Sequence, residues 1–242
     1  MPNNWFQFKQ FKVEQDKCAM KIGTDSILLG AWANCSESKT ALDIGTGTGI
    51  LALMIAQKCN AEITAIDIDE QAIEQAKENI NNSPWKHRIK LLNLSLQEFK
   101  SPEIKFDFII LNPPFFQNSL KAPDESRTIA RHTDKLSQQD ILSFCENNLT
   151  PDGKLAIIYP TDLAKEFINI SNKNGLFCNR LCKVNPNPSK LTHRFLMEFS
   201  LATPGKTNCT IESEITIETG VRHHYTNEYK EMTKDFYLHF KY

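Results

Sequence analysis

The residues best suited to chemistry stand where an apolar run ends in Asn112-Pro113-Pro114-Phe115. The run, Phe106 to Leu111, is interrupted only by Asp107 and is typical of a buried strand in a parallel sheet. Two successive prolines cannot donate backbone hydrogen bonds, so the strand must end here, at the carboxyl edge where open α/β folds bind ligands. An amide, a stiff backbone and an aromatic ring suit a flat molecule that carries an amino group. By itself, the motif is equally consistent with a rigid turn above a core Phe.

A second group of residues occupies an earlier strand-to-helix turn, Asp43-Ile44-Gly45-Thr46-Gly47-Thr48-Gly49. Glycines there can adopt positive φ and let the backbone pass close to a ligand. The dinucleotide fingerprint Gly-x-Gly-x-x-Gly needs its third glycine one residue later, where this chain has Ile50. Asp43 is also a poor neighbour for a pyrophosphate. It suits a ligand with an ammonium and a sulfonium charge.

Asp67 ends the second strand pattern, 22 residues after Gly45. A carboxylate at this place can accept hydrogen bonds from both hydroxyls of a ribose. The alternative is a charge at a helix N-terminus, in the sequence Asp67-Ile68-Asp69-Glu70, which the helix dipole would favour. The glycine turn that precedes it favours ribose binding.

Alternating strand and helix patterns must position these residues. We predict seven strands in the core, at 40–44, 62–66, 89–92, 106–111, 154–159, 176–184 and 193–202. We predict helices at 50–58, 70–81, 138–149 and 163–172, with a turn at Pro151-Asp152-Gly153. Such alternation implies a parallel sheet, and two adjacent strands at the end imply an antiparallel member. The predicted fold is therefore α/β: a doubly wound, mostly parallel, seven-stranded, Rossmann-like sheet with helices on both faces.

The two ends of the chain are predicted to be short additions to this core. Residues 1–22 are rich in aromatic side chains and should be extended, followed by a helix over 26–33 with Thr24 or Asp25 as N-cap. A possible edge strand at 211–217 and an amphipathic helix at 227–240 close the chain. We expect a single domain with three parts: an N-terminal extension (1–39), a catalytic core (40–202) and a C-terminal strand and helix (203–242). A long polar loop, 116–136, follows the Asn-Pro-Pro-Phe motif.

The composition indicates an ordinary soluble globular protein. The chain has 242 residues, of which 40% are hydrophobic and 24% charged. No apolar run approaches the ~20 residues that span a membrane, and no secretory signal is visible at the N-terminus. The seven cysteines include no Cys-x-x-Cys pair and have no metal-ligand spacing with histidine. We therefore expect reduced, mostly buried thiols, no metal and no membrane partner, and a cytoplasmic location.

Charge is unevenly distributed, although the net charge is only −1. The segment 171–206 has one acidic residue, Glu198, and six basic residues: Lys173, Arg180, Lys183, Lys190, Arg194 and Lys206. It is a candidate phosphate-contacting surface. The charges alone are equally consistent with a solvated basic face.

Together, Asp43, the glycine turn, Asp67 and Asn112–Phe115 resemble S-adenosylmethionine-dependent (class I) methyltransferases that modify a planar amino group. The order and spacing match throughout residues 40–160. In that superfamily, Asn-Pro-Pro-aromatic occurs in adenine-N(6) methyltransferases and in glutamine-amide methyltransferases of release factors. The flanks resemble the bacterial family that methylates the adenine at position 37 of valine tRNA, in six stretches: 8–11, 18–25, 28–32, 130–133, 193–194 and 233–238.

This resemblance implies S-adenosyl-L-methionine as cofactor and the anticodon loop of valine tRNA as partner. The residues expected to bind the cofactor are Lys21, Thr24, Asp43, Gly45, Thr46, Gly47, Gly49, Asp67, Ile68, Ser95, Leu96 and Asn112. One departure is Ser95, because such enzymes often carry an Asp there that hydrogen-bonds the cofactor adenine. A Ser can still accept a hydrogen bond, with weaker recognition of the adenine.

The catalytic residues implied are Asn112, Pro113, Pro114 and Phe115. The Asn112 side-chain oxygen and the Pro113 carbonyl would each accept an N–H of the adenine amino group, and Phe115 would stack on the base. The residues expected to contact RNA are Arg127, Arg131, His132, Lys190 and Arg194. For the first three, a structural ion pair is an equal alternative. For the cluster His223-His224-Tyr225, plain surface placement is favoured over RNA contact.

Three other functions stay open. A glutamine-amide methyltransferase shares the motif but normally has an N-terminal helical domain, for which the 39 residues before Thr40 are too few. A DNA adenine methyltransferase would need an added recognition domain. A non-catalytic protein that binds the cofactor or RNA is disfavoured by the intact Asn112–Phe115 motif.

Overall fold

A computed structural model of the chain describes residues 3–18, 20–99, 104–114, 136–202 and 209–239. Its strands are β1 (Trp5–Gln7), β2 (Lys12–Glu14), β3 (Thr40–Ile44), β4 (Glu62–Asp67), β5 (Ile89–Asn93), β6 (Phe106–Leu111), β7 (Leu149–Pro160), β8 (Leu176–Asn185), β9 (Arg194–Leu201) and β10 (Ile211–Thr216). Its α-helices are α1 (Thr24–Trp32), α2 (Ile50–Lys58), α3 (Glu70–Asn81), α4 (Gln138–Asn148), α5 (Thr161–Lys173) and α6 (Asn227–Thr233).

The central sheet has the strand order β10-β8-β9-β7-β6-β3-β4-β5. Strands β5, β4, β3, β6 and β7 are parallel, β9 is antiparallel to both of its neighbours, and β10 is parallel to β8. The predicted α/β fold with a mostly parallel sheet is confirmed. The described part of the sheet has eight strands instead of the predicted seven, because the possible edge strand pairs with β8 along its whole length.

Side chains of the central strands alternate between two hydrophobic cores, one on each face of the sheet. In β6, Phe108 and Ile110 pack in the core that contains α1 and α2, while Ile109 and Leu111 pack in the core that contains α4 and α5. This alternation is the two-residue period of a strand. Helices therefore cover both faces, as the continuous apolar run of this strand predicts.

The two ends of the chain meet on the α1–α2 face. Strands β1 and β2 form an antiparallel hairpin, and the aromatic residue Phe8 beside it is fully buried. Phe8 forms a β-bridge with Tyr237, and the Lys9 N–H donates to the Phe236 carbonyl (2.8 Å). The prediction of extended structure in this segment is confirmed for β1 and β2, and Phe8 and Phe11 between them are buried.

Several predicted boundaries are wrong. The N-cap of α1 is Gly23, with Thr24 and Asp25 inside the helix. The turn predicted at 151–153 falls inside the bounds of β7, where the chain leaves the pairing with β6: Phe106 pairs with Leu149 and Phe108 with Lys154, so the prediction was wrong only in where the strand begins. The last helix ends at Thr233 because the following residues bond to the N-terminal hairpin and do not continue the helix.

Candidate active site

The glycine turn between β3 and α2 is a left-handed, open backbone. Gly45, Gly47 and Gly49 have φ of +68°, +55° and +83°. A Cβ added at Gly45 or Gly47 would meet no atom within 4 Å, so the turn borders open space. The Gly45 and Thr46 N–H groups both donate to the Ile66 carbonyl (2.9 Å each), which fixes the turn to the end of β4. The predicted close approach of a ligand to this backbone is therefore sterically possible.

Asp43 lies beneath the glycine turn and is fully buried. Its Oδ2 accepts hydrogen bonds from Thr46 Oγ1 (2.6 Å) and the Ala52 N–H (3.1 Å), while its Oδ1 has no partner among the described residues. Burial raises the pKa of Asp43 to about 7. Asp43 thus holds the turn from behind and lies off the cavity wall. Its contact with the cofactor stays a prediction.

Asp67 joins the end of β4 to the glycine turn. Its Oδ2 accepts from the Gly47 N–H (2.8 Å) and its Oδ1 from the Asp69 N–H (3.0 Å). Burial raises its pKa. The charge at the helix N-terminus is Asp69, the N-cap of α3, whose side chain accepts from the Gln71 N–H (2.9 Å). The alternative role considered for Asp67 therefore belongs to Asp69.

Apolar and polar groups continue the wall beside Asp67. Ile68 is 57% exposed although it is large and apolar, and Leu96 is buried. The Ser95 hydroxyl donates to Glu98 Oε2 (2.9 Å) and accepts from the Glu98 N–H (3.2 Å). Ser95 is thus engaged in its own turn. One acceptor lone pair of the hydroxyl is left for a ligand.

Asn112 carries an unused acceptor. Its Nδ2 donates to Ser26 Oγ in the first turn of α1 (2.9 Å), while its Oδ1 is buried and has no partner among the described residues. An unpaired buried acceptor costs about 1–3 kcal/mol, so a ligand that donates to Oδ1 would be bound more favourably. The amide is therefore set to accept a hydrogen bond.

Apart from Asp43, these groups border one cavity of about 1440 Å³. The predicted site residues at its wall are Lys21, Thr24, Gly45, Thr46, Gly47, Asp67, Ile68, Ser95, Leu96, Asn112, Pro113, Pro114 and Arg194. Gly49 is set back as the N-cap of α2. Sites for a single small molecule usually measure about 300–1,000 Å³, so this cavity has room for two ligands.

The cavity also has a second wall, of which only Arg194 was predicted as a site residue. We call it the C-terminal wall: Val184, Pro186, His193, Arg194, Ile217, Glu218, His223 and Tyr225. It combines the end of β8, the start of β9 and the residues that follow β10. These segments lie far apart in sequence and share no motif. His223 is exposed and Tyr225 half-buried, and both line the cavity, so the surface on which this cluster lies is the cavity wall.

Three of the six basic side chains of the segment 171–206 form ion pairs in the part of the chain that the structure describes. Arg194 Nε pairs with Asp25 Oδ2 (2.9 Å), Arg180 with Glu198 (2.9 Å) and Lys183 with Glu212 (2.7 Å). The acids Asp25 and Glu212 come from outside the segment, so its own charge count overstated the positive surface. Lys190 is exposed in the loop between β8 and β9, three residues before the cavity-lining His193.

Some predicted residues are outside the described part of the chain: Phe115, Arg127, Arg131 and His132. Among the described residues, no group of three or more His, Cys, Asp or Glu could hold a metal ion. In the same residues, no helix is long and apolar enough to cross a membrane. Six of the seven cysteines are buried and all seven are free thiols.

Solved structures with this fold are methyltransferases. A predicted O-methyltransferase from Agrobacterium tumefaciens has a TM-score of 0.67 at 17% identity, covering 88% of this chain and 96% of its own. A putative RNA methyltransferase from Pyrococcus horikoshii has a TM-score of 0.57 at 18% identity, covering 81% and 94%. At such low identity they show the fold alone.

Sequence relatives define the family more closely. The model of the methyltransferase small domain matches residues 18–175. Three curated relatives carry the name tRNA1(Val) (adenine(37)-N6)-methyltransferase. They are 45% identical in Parabacteroides distasonis (98% of this chain, 99% of the relative), 44% in Bacteroides thetaiotaomicron (100% of both) and 44% in Trichodesmium erythraeum (98% and 99%). The chain therefore belongs to the S-adenosylmethionine-dependent methyltransferases with a methyltransferase small domain, in the tRNA1(Val) (adenine(37)-N6)-methyltransferase family.

Proposed function

We propose that this protein methylates the exocyclic amino group of adenine 37 in valine tRNA, with S-adenosyl-L-methionine as methyl donor. The observation that carries the proposal is the buried, unpartnered Asn112 Oδ1 in a cavity shared with the glycine turn. The names of relatives aligned over nearly the whole chain supply the substrate. A tRNA substrate also implies action in the cytoplasm.

The cofactor fits the part of the cavity formed by the glycine turn, Asp67, Ile68, Ser95 and Leu96, which we call the cofactor half. The open space over Gly45 and Gly47 admits a ligand against the backbone. Asp67 stands at the end of β4, where it would hold the ribose, and the exposed Ile68 would lie against the adenine ring. When bound, S-adenosylmethionine supplies a methyl group that its sulfonium already activates.

The residues at the end of β6 would hold the target. The lone pair of an adenine amino group is delocalised into the ring, so the nitrogen needs orientation more than it needs a base. Asn112 Oδ1 and the Pro113 carbonyl can each accept one N–H, which turns the lone pair toward the cofactor half. Such positioning supplies a large part of the rate enhancement of transfer reactions. The released proton can pass to water once the nitrogen has been methylated.

Ser26 sets the direction of the Asn112 amide. An amide that was free to rotate would present its NH₂ group to the adenine half of the time. The Asn112 NH₂ and the adenine amino group would then both be donors, and no hydrogen bond could form between them. The hydrogen bond from Asn112 Nδ2 to Ser26 Oγ keeps the oxygen available. A residue of the N-terminal extension thus completes a site that the core strand begins.

A tRNA loop suits this arrangement. A base must leave its stack before it can enter a cavity, and this costs less from a loop than from a duplex. Each of the two substrates would then occupy its own part of the cavity.

Transfer of labelled methyl from S-adenosylmethionine tests the proposal. The purified protein is incubated with tRNA that lacks the modification, with a duplex DNA that contains adenine, and with a release factor. We expect label in tRNA alone, at the adenine at position 37 of valine tRNA after nuclease mapping. Label in the release factor would instead establish glutamine-amide methylation. Label in no acceptor, with intact cofactor binding, would contradict the enzymatic function.

A further inference from the structure

The C-terminal wall lies beside Asn112 and away from the cofactor half. Along the cavity edge of the sheet, β9 is two strands from β6. At the usual spacing this is about 10 Å. The first turn of α1 connects the two places, because Ser26 accepts from Asn112 while its neighbour Asp25 pairs with Arg194. The wall is therefore close enough to contact the nucleotide next to a base held at Asn112.

The chemistry of this wall fits a nucleobase better than a phosphate. Its one cation, Arg194, is paired with Asp25, and Glu218 adds a negative charge. Its rings are the imidazoles of His193 and His223 and the phenol of Tyr225. Burial and the neighbouring Arg194 lower the pKa of His193, which favours a neutral ring at neutral pH. Unstacked bases are commonly held against such rings in single-stranded RNA.

The hairpin 217–226, which carries two of these rings, is held in place by its own contacts. A β-bridge joins Glu218 to Tyr225, and the Thr226 N–H donates to the Ile217 carbonyl (3.0 Å). The His223 N–H donates to Glu218 Oε1 (2.8 Å). Tyr225 stacks on Tyr229 of α6, with ring centroids 5.0 Å apart and planes 26° apart. Because the hairpin backbone and the Tyr225 ring are fixed in advance, they lose little conformational entropy when a ligand binds.

A loop adenine that enters the cavity leaves a neighbour without its stacking partner. We propose that the C-terminal wall binds the nucleobase adjacent to the methylated adenine, through stacking on the rings of His193, His223 and Tyr225. The wall would replace the stacking that the neighbour loses, and so favour the extruded target. This inference rests on the proposed function and adds a second base to the same site.

The test uses anticodon stem-loop RNAs with an abasic nucleotide on the 5′ or the 3′ side of the target adenine. With the wild-type protein, we expect one of the two to lower kcat/KM by about 10-fold, within the range that base–aromatic stacking provides. Tyr225→Ala should lower kcat/KM on the intact RNA by a similar factor. It should cause no further loss on that abasic RNA, because the base against which the Tyr225 ring would stack is already absent.

Two further variants make the result decisive. His223→Asn removes the imidazole but retains a residue that tolerates positive φ, here +66°, so it applies even where Tyr225→Ala fails to fold. His224→Ala is the matched control, since His224 is exposed in the same hairpin and lies off the cavity wall, and it should keep full activity. Calorimetric binding of S-adenosylmethionine confirms that each variant is folded.

The possible failures are distinct. If Tyr225→Ala or His223→Asn lowered kcat/KM on the abasic RNA by the same factor as on the intact RNA, the ring and the base would act independently. That result would overturn the subsite and leave the proposed function intact. Equal rates of the wild-type protein on the intact RNA and on both abasic RNAs would do the same. No transfer from wild-type protein to any tRNA or stem-loop would overturn both proposals.

Discussion

Hydrogen bonds between neighbouring strand ends hold the geometry of the cofactor half, whereas the C-terminal wall also depends on a side-chain contact between segments far apart in sequence. In the cofactor half, the carboxylate of Asp67 binds the N–H groups of Gly47 and Asp69, and the turn bonds to Ile66. At the C-terminal wall, an ion pair between Asp25 and Arg194 joins residues 169 positions apart. The hydrogen-bonded turn of the cofactor half suits a ligand that is always the same molecule. In the C-terminal wall, one side chain can be changed without altering a turn.

Asn112 stands on the boundary between the two regions, so its removal should have the largest effect. We expect Asn112→Ala to lower the rate of methyl transfer by about 1,000-fold, because the adenine amino group loses its orienting acceptor. Binding of S-adenosylmethionine should change by less than about 3-fold, since the glycine turn is untouched. Single-turnover kinetics measure the rate of methyl transfer, and calorimetry measures the binding of S-adenosylmethionine.

The control for this change is Asn147→Ala, at an exposed asparagine of α4 whose side chain, among the described residues, bonds within its own helix. It should behave as wild type. If Asn112→Ala retained more than about a tenth of the wild-type rate, the assigned role would be wrong.

The buried acid of the cofactor half predicts a pH-dependent stability. The pKa of Asp43 is about 7 in the folded chain against an ordinary value of 3.8, because burial disfavours its charge. Between these values the folded chain keeps a proton that the unfolded chain releases. The contribution of Asp43 to the free energy of unfolding therefore falls as pH rises toward about 7 and is constant above it.

The variant Asp43→Asn cannot ionise and should lack this slope. Relative to wild type, its free energy of unfolding should rise by about 3 kcal/mol between pH 5 and pH 8. Urea unfolding without cofactor at both pH values measures the difference. A difference that does not depend on pH would show that Asp43 is charged throughout this range. Other contacts would then have to offset the free-energy cost of burying its charge.

Ser26 tests whether the first turn of α1 connects the two regions. Ser26→Ala leaves the Asn112 amide without its partner, so we expect kcat to fall by about 10-fold with little change in the affinity for either substrate. Ser26→Thr retains the hydroxyl and should restore most of the rate. Ser36→Ala is the control, because Ser36 is exposed and its hydroxyl donates to the neighbouring Asn34 in the described part of the chain. A loss of affinity with normal kcat would indicate a structural role instead.

The same contrast explains what the sequence could predict. The cofactor half could be predicted because each of its parts is a local sequence pattern at the end of a strand. The glycine turn follows β3 and Asp67 ends β4, and neighbouring parallel strands bring these two ends together. The parallel order of the sheet follows from the alternation of strands and helices for the same reason. Asn112 was recognised because two prolines end its strand.

The C-terminal wall could not be predicted in this way. His193 and Tyr225 come together only after β8, β9 and β10 pair, and no local pattern carries that information. The ion pair of Arg194 with Asp25 was missed for the same reason, since the charge of the segment 171–206 was judged without acids from elsewhere. The place of Ser26 beside Asn112 likewise depends on how α1 crosses the sheet edge.

Lys190 gives the smallest expected effect and the finest test of the contrast. It is exposed in the loop between β8 and β9, at the cavity edge of the sheet. Lys190→Gln should weaken tRNA binding by about 2- to 3-fold and reduce the slope of log affinity against log salt by about 1, as loss of one phosphate contact does. Lys173→Gln is the matched control, because Lys173 is an exposed lysine of the same basic segment at the end of α5, near the start of β8 and so at the opposite edge. Equal slopes for both variants would mean that tRNA is attracted by the whole basic segment, and that phosphates are not contacted specifically beside the C-terminal wall.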